Sequence, residues 1–512
     1  LQNPLLSFLH FFELYFDFSG LLSPQRNRKP QTIHERSQTM KKPQIQSFLL
    51  IGCLIALTCA ALAYSKQDPS FIPDGIDPVS ARTGPVTLTG ELTQDKILAG
   101  GDGATALSLT LTAEQMPAAE NQEVRPVDMV IVLDRSGSME GAKLNDAKRA
   151  VRDLLGRLSS GDRFALVSYS SGVQRHSALV PVTASARETL MHQINSVYSG
   201  GGTNLGAGLQ LGIHTLMEGG RTGNLGRVIL ISDGLANEGI TDTVALGNMA
   251  GVARKREFGI STVGVGEDFN EALMTAIADR GTGSYYYLSD PAAFAAVFEK
   301  EFLSARATVA SGLEIRVPLS DGVRLTHAAG YPIQIQDGHA VFYPGDLRSG
   351  DSRKLFLTFQ VPAHADRTYE IRGLTARYRY QNEPAAVTLS TPFRIACVRD
   401  EKTALSSIRR EIWERKVIQN DYNLLKEEVA ADIRAGKPQA AEKRIQEYRT
   451  RQEAVNVKVQ SPAVAENLKQ EVTRLEDRVK DTFAGAPSRV AEKQKRNAKA
   501  LQYEGYQGRR DK

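Results

Sequence analysis

The 512 residues are 41% hydrophobic and 24% charged, close to a soluble globular average, and suffice for roughly three domains. A formal net charge of +5 is small for this length and sets nucleic acid aside as the main partner. Three cysteines are too few for a disulfide framework, and two of them, Cys53 and Cys59, share one apolar stretch near the N-terminus.

Residues 1–39 have no clean period and are expected to be a non-native N-terminal extension. At Met40 the pattern changes. Lys41 and Lys42 precede an apolar run from Phe48 to Cys59, and Ala61-Leu62-Ala63 has the small-x-small form of a cleavage site. Residues 40–63 therefore read as a secretory signal peptide, which implies export to the periplasm, cell envelope or extracellular space. An uncleaved membrane anchor through residues 47–63 is the alternative, because about 17 apolar residues lie at the lower edge of what spans a bilayer. "LIGC", ending at Cys53, also resembles a lipoprotein box, although the residues after it are still apolar. Cys397, in "FRIACV", is left as a small buried hydrophobe that can form neither an internal disulfide nor a cysteine zinc cluster.

From 84 to 122 the chain alternates, in "VTLTGELT" and "TALSLTLTA", as half-buried strands do. Between 127 and 305 the rhythm becomes strand–helix–strand. "DMVIVLD" is an apolar run of core-strand length, and Ala147, Val151, Leu154 and Leu158 lie on one helical face. "RFALVSYS", "RVILIS", "GISTVGVG" and "SYYYL" follow as strands, separated by helical stretches. This predicts an α/β fold: a doubly wound, mostly parallel sheet covered on both faces. From 306 to 398 alternation returns, with Leu313, Ile315 and Val317 on one face and closely spaced turns, which predicts an antiparallel β-sandwich. The 84–122 strands are expected to complete that sandwich, so that the α/β block is an insertion in it.

Residues 400–486 read as helical. Leu425, Val429 and Ile433 stack at i+4, Ser461-Pro462 forms an N-cap with Pro at N1, and Leu468, Val472, Leu475 and Val479 make a narrow seam. Residues 487–512 are basic, Gln-rich and weakly apolar, and are expected to be a disordered tail.

Polar groups gather at the carboxyl ends of the predicted parallel strands, where open α/β sheets bind ligands. "LDRSGSM" offers Asp134, Ser136 and Ser138; "SGGGTNLGAG" offers Thr203; "VILISDG" offers Asp233. A buried carboxylate is costly unless it is paired or holds a metal. Two carboxylates and three hydroxyls are hard oxygen ligands, suited to Mg²⁺, with Mn²⁺ or Ca²⁺ as substitutes, and unsuited to zinc or copper. Such an ion keeps residual positive charge that an incoming acidic side chain can satisfy.

These motifs resemble those of a von Willebrand factor type A domain: D-x-S-x-S after an apolar strand, Thr in a G-G-T-N loop, and S-D-G after a later core strand. The resemblance covers about 127–305. It implies a metal-ion-dependent adhesion site at Asp134, Ser136, Ser138, Thr203 and Asp233. Beside these positions, Glu140 and Asn204 are read as the ligand-binding rim, with a solvated helix-start acid as the alternative for Glu140. The resemblance also implies that the ion bridges the domain to an acidic residue of a partner protein. A type A domain combined with β-structure is similar in layout to inter-α-trypsin-inhibitor heavy chains.

Other chemistries fit less well. The glycine-rich loop lacks G-K-[ST] and does not follow the first strand with G-x-G-x-x-G, so it is not a nucleotide loop. His176 and His214 have no evident path to Ser136 or Ser138, and no G-x-S-x-G elbow is present. The expectation is therefore a non-enzymatic adhesion module at the cell envelope. The alternatives are a structural envelope protein that binds through its helical tail, and a metal-dependent hydrolase with Glu140 as base.

Overall fold

The computed structural model describes residues 78–116, 125–220, 223–364 and 366–510. The segments at 1–39, 40–63 and 47–63, with their proposed extension, signal and anchor, lie outside the described residues. Among the described residues no helix is long and apolar enough to cross a membrane.

The chain opens with β1 (Val79–Thr83), β2 (Val86–Leu92), β3 (Lys96–Leu98) and β4 (Ala104–Ala113). The α/β block follows: β5 (Val127–Asp134), α1 (Ala142–Arg157), β6 (Arg163–Tyr169), β7 (Val173–Arg175), β8 (Val180–Pro181), α2 (Ala184–Asn195), α3 (Leu205–Gly219), β9 (Leu225–Ser232), α4 (Thr243–Lys255), β10 (Phe258–Val265), α5 (Glu271–Arg280), β11 (Thr282–Leu288) and α6 (Phe294–Arg306). Its sheet runs β11-β10-β9-β5-β6-β7, with β8 beside β6. The pairings from β11 to β6 are parallel, and β7 and β8 pair antiparallel to β6.

β5 and β9 are buried along their whole length because helices cover both faces of the sheet. That is why they read as unbroken apolar runs. One face packs on α1 and α6 through Leu144, Val151, Leu154, Phe294 and Phe298. The other packs on α3, α4 and α5 through Leu209, Ile213, Leu246, Leu273 and Ile277. Thr183, Asn204, Asp242 and Asn270 each cap a helix by accepting a backbone N–H in its first turn. Such a cap stabilises a helix by about 1 kcal/mol.

The chain returns to β-structure with β12 (Thr308–Pro318), β13 (Arg324–Ala328), β14 (Gln334–Gln336), β15 (His339–Phe342), β16 (Leu347–Arg348), β17 (Ser352–Gln360), β18 (Thr368–Ile371), β19 (Leu374–Tyr380), β20 (Glu383–Leu389) and β21 (Phe393–Val398). β17 pairs with β4 in antiparallel register from Ser352↔Thr112 to Gln360↔Ala104, within a sheet ordered β1-β2-β4-β17-β13. A second sheet, β14-β15-β12-β19-β20, shares one core with it: Leu107, Leu109 and Leu111 pack with Leu313, Ile315, Leu355 and Leu357. Strands from both sides of the α/β block thus lie in one sheet, with the block between them in sequence. β1 begins ahead of residue 84, where strand structure was expected to start. Its "VSART" is mostly exposed at the sheet edge and carries no alternating apolar signal.

The helical region comprises α7 (Glu401–Ser406), α8 (Arg410–Arg415), α9 (Tyr422–Arg434), α10 (Pro438–Val459), α11 (Pro462–Thr482) and α12 (Pro487–Gly508). The α12 helix corrects the expectation of a disordered tail. Ala498 and Leu501 join the helical core, and Tyr506 enters the core of the α/β domain. The apolar positions are few, but cations of the helix and of the two residues after it find carboxylates elsewhere in the chain: Lys495 on Asp268, Lys499 on Glu271, Arg509 on Glu427 and Arg510 on Asp279. Charges that suggested a solvated tail are pairing groups in the folded chain.

Candidate metal site

Asp134 is the last residue of β5, and Asp233 directly follows β9, the neighbouring parallel strand. Adjacent strands in parallel register bring their carboxyl ends to one edge, so residues far apart in sequence meet there. Ser138 Oγ donates to Asp233 Oδ1 at 2.7 Å, and the Ser136 and Ser138 hydroxyls lie 3.1 Å apart. Gly137 N donates to Gly201 O at 3.1 Å and Gly200 N to Arg135 O at 2.8 Å, which ties the first loop to the Thr203 loop. Thr203 N donates to Asn237 Oδ1 at 2.8 Å, which ties that loop to the one after Asp233. A β-carbon built on Gly234 would lie 3.4 Å from Ser138 Oγ and 3.6 Å from Thr203 Oγ1. The two hydroxyls therefore border one small space, left open by a glycine.

Both carboxylates are fully buried, yet their surroundings differ. Asp134 accepts from Ser136 N at 2.8 Å and from Ser232 Oγ at 2.9 Å. These are neutral donors. Burial pushes its carboxyl above the usual range, the Ser136 and Ser232 hydrogen bonds offset part of that, and the nearby Asp233 adds to it. Asp233 has a cation: Lys143 Nζ stands 2.5 Å from its Oδ2. Among the described residues the two buried carboxylates have one side-chain ion pair, Lys143 on Asp233, a deficit that a divalent ion would fill. Among the described residues there is no group of three or more His, Cys, Asp or Glu able to hold a metal. An ion here depends on the two aspartates and the hydroxyls of Ser136, Ser138 and Thr203, a hard-oxygen set that suits Mg²⁺, Mn²⁺ or Ca²⁺.

The two rim residues are placed differently. Glu140 is exposed at the end of the Gly137–Met139 turn. Asn204 is half-buried beside Thr203, and its side-chain oxygen caps α3 by accepting from Ala207 N at 3.1 Å. His176 Nε2 lies 2.7 Å from Ser168 Oγ, and His214 lies beside Glu218, so the histidines are engaged away from Ser136 and Ser138. Three supporting residues escaped the sequence reading: Ser232, Asn237 and Lys143. Ser232 adjoins Asp233 in "ISDG" and could have been found there. Asn237 and Lys143 carry no local signal of their partners.

A sheet of this order, with oxygen ligands converging at its carboxyl edge, defines a von Willebrand factor type A fold. Residues 128–300 match the model of that family, described as "von Willebrand factor type A domain", and the chain carries such a domain. The chain is 31% identical to YfbK of Escherichia coli over 39% of its own length and 34% of that protein's. It is 32% identical to inter-alpha-trypsin inhibitor heavy chain H1 of Mesocricetus auratus, over 30% of its length and 18% of that chain's. The chain therefore spans about a third or less of the length of these relatives. A solved structure titled von Willebrand factor type A from Catenulispora acidiphila aligns with a TM-score of 0.60 at 18% identity. It covers 81% of this chain and 95% of that one, a likeness of fold that extends beyond the type A domain. Domains of this family typically mediate protein–protein interaction and commonly bind a divalent metal.

Proposed function

We propose that the protein is an adhesion or scaffold module of the cell envelope. Asp134, Ser136, Ser138, Thr203 and Asp233 hold a divalent ion, Mg²⁺ first among candidates, and the ion grips an acidic residue of a partner protein. The observation that carries this reading is the buried Asp134, which accepts neutral hydrogen bonds only, 0% exposed, beside the Asp233–Ser138 pair. Isolated buried charge is costly, and a metal offsets that cost. With two carboxylates an Mg²⁺ would retain net charge for an anionic ligand, which accounts for the choice of an acidic partner. Export rests on the basic–apolar–small pattern of residues 40–63.

The reading in which the helical tail does the binding is less well supported, because Lys495 and Lys499 of α12, and Arg509 and Arg510 just after it, pair with carboxylates within the chain. A hydrolase would need a base at the metal; Glu140 lies beside the first loop, and Glu238, which packs against Gly202 in the Thr203 loop, accepts from Ser171 Oγ at 2.9 Å. The test is a pull-down from envelope extract with the chain from Tyr64 onward as bait. It is run with Mg²⁺, with EDTA and with Asp233→Ala. Proteins retained by wild type in Mg²⁺ alone support the proposal. An identical set in all three arms overturns it.

A further inference from the structure

Lys143 is the second residue of α1, which starts at Ala142 without a side-chain cap and without an acid in its first turn. A cation there opposes the helix dipole and does nothing for the helix itself. Its partner is instead 90 residues away: Nζ lies 2.5 Å from Asp233 Oδ2 and donates to Ser138 O at 3.3 Å. The Asp233 side chain is fully buried while Lys143 is 29% exposed, so the ammonium reaches in from the surface to the carboxylate. Asp233 Oδ1 is meanwhile engaged by Ser138, one of the hydroxyls at the proposed metal position.

We infer that Lys143 is a tethered counter-ion that competes with the divalent metal for Asp233 and sets the metal affinity of the site. This inference rests on the metal site proposed above. In metal-free protein the ammonium satisfies a carboxylate that would otherwise be buried unpaired. When a divalent ion enters, two like charges face one carboxylate, and the metal binds against the repulsion of the lysine. The lysine has room to retreat on its solvent side. A β-carbon on Gly266, in the loop after β10, would sit 3.6 Å from both its Cε and its Nζ, and that loop carries Asp268. The field of Lys143 already reaches Asp268: the Lys495 hydrogen bond chiefly holds that carboxyl low, and Lys143 contributes. An acceptor for the displaced ammonium thus lies on the neighbouring loop.

Two opposed effects follow from one substitution. In Lys143→Met, metal binding tightens, because a positive charge adjoining the ion is gone, and the metal-free fold weakens, because Asp233 loses its counter-ion. Titration calorimetry of the full chain with MnCl₂ and MgCl₂ reads the first, and thermal unfolding in EDTA reads the second. The expected result is at least about tenfold tighter Mn²⁺ binding by Lys143→Met. A lower Tm in EDTA, restored by Mg²⁺, accompanies it. Lys143→Arg, which keeps the charge, stays within about threefold of wild type. Lys143→Gln serves as a second neutral variant should the methionine protein fold poorly. If wild type binds Mn²⁺ and the neutral variants bind it equally or more weakly, the competition is refuted while the metal site stands. If neither wild type nor the neutral variants take up Mn²⁺, the metal site itself fails, and this inference with it.

Discussion

The ammonium of Lys499, on the last helix, lies 2.9 Å from Glu271 Oε2 at the start of α5, with the two side chains 7% and 5% exposed. Lys499 also donates to Phe269 O at 2.8 Å, and Arg434 donates to the other Glu271 oxygen at 2.6 Å. Tyr506 reinforces the contact: its hydroxyl accepts from Tyr285 N at 3.0 Å, and its ring meets Tyr285 edge-on. The helical region is thereby fastened to the type A domain beside the loop that follows β10.

Removing one partner of such a buried pair is costly, because the other is left charged. Lys499→Met is expected to lower stability by about 3 kcal/mol, the low end of the usual range, since Arg434 still attends Glu271. The double variant Lys499→Met with Glu271→Met recovers part of that loss. Urea unfolding of the single and double variants measures both.

The same pair makes docking sensitive to acid. Burial pushes Glu271 upward, but Lys499 and Arg434 outweigh it and hold the carboxyl below its usual range. A folded-state pKa below the unfolded one gives stability that is complete above the unfolded value, about 4.3, and is lost as pH falls through the folded value. Acid titration below about pH 4 should therefore release α12, read as loss of the near-ultraviolet tyrosine signal of Tyr285, Tyr503 and Tyr506. The double variant should lack this step.

At the proposed metal site, Asp134→Asn should separate folding from binding. The amide oxygen can accept from Ser136 N, and its NH₂ can donate to a rotated Ser232 hydroxyl, replacing the two bonds seen for the carboxylate. Because burial disfavours the charge it removes, metal-free stability should change by no more than about 1 kcal/mol. Wild type at a metal concentration of 100 Kd should gain about 2.7 kcal/mol, and the variant should gain nothing. Thermal unfolding with MgCl₂ and with EDTA distinguishes these outcomes.

Gly283 is required by the sheet and not by the site. A β-carbon there would lie 2.2 Å from Ile260 O and 2.4 Å from Ile260 C, which are backbone atoms of the paired strand. The β10–β11 register is irregular at this point, between Ile260 and Thr262. Gly283→Ala should therefore cost about 1–3 kcal/mol, seen as a lower urea midpoint at unchanged m. Mn²⁺ affinity should remain as in wild type.

Much of this architecture was legible in the residues. "DMVIVLD" and "RVILIS" announce buried parallel strands, because a strand covered on both faces needs apolar side chains on both. The strand-end positions of Asp134, Ser138 and Asp233 followed from the same reading. Their supports did not. Ser232 is 98 residues from Asp134 and Lys143 is 90 from Asp233, and no local period encodes a pairing at that distance. The α12 helix was missed for a related reason. Its buried positions, Ala498, Lys499, Leu501, Gly505 and Tyr506, include a lysine and a glycine, so the apolar stripe is too thin to stand out from a charged background.

By itself, then, the sequence determined the kind of fold and the edge of the sheet at which polar side chains gather, since periodicity and strand-end chemistry are local properties. Only the tertiary structure decided how charge is balanced there. It gave Asp233 a lysine and left Asp134 with neutral donors, and it turned the cations of the last helix from solvated groups into ties. Coulombic pairing depends on distance and burial, and both are set by elements that meet only once the chain has folded.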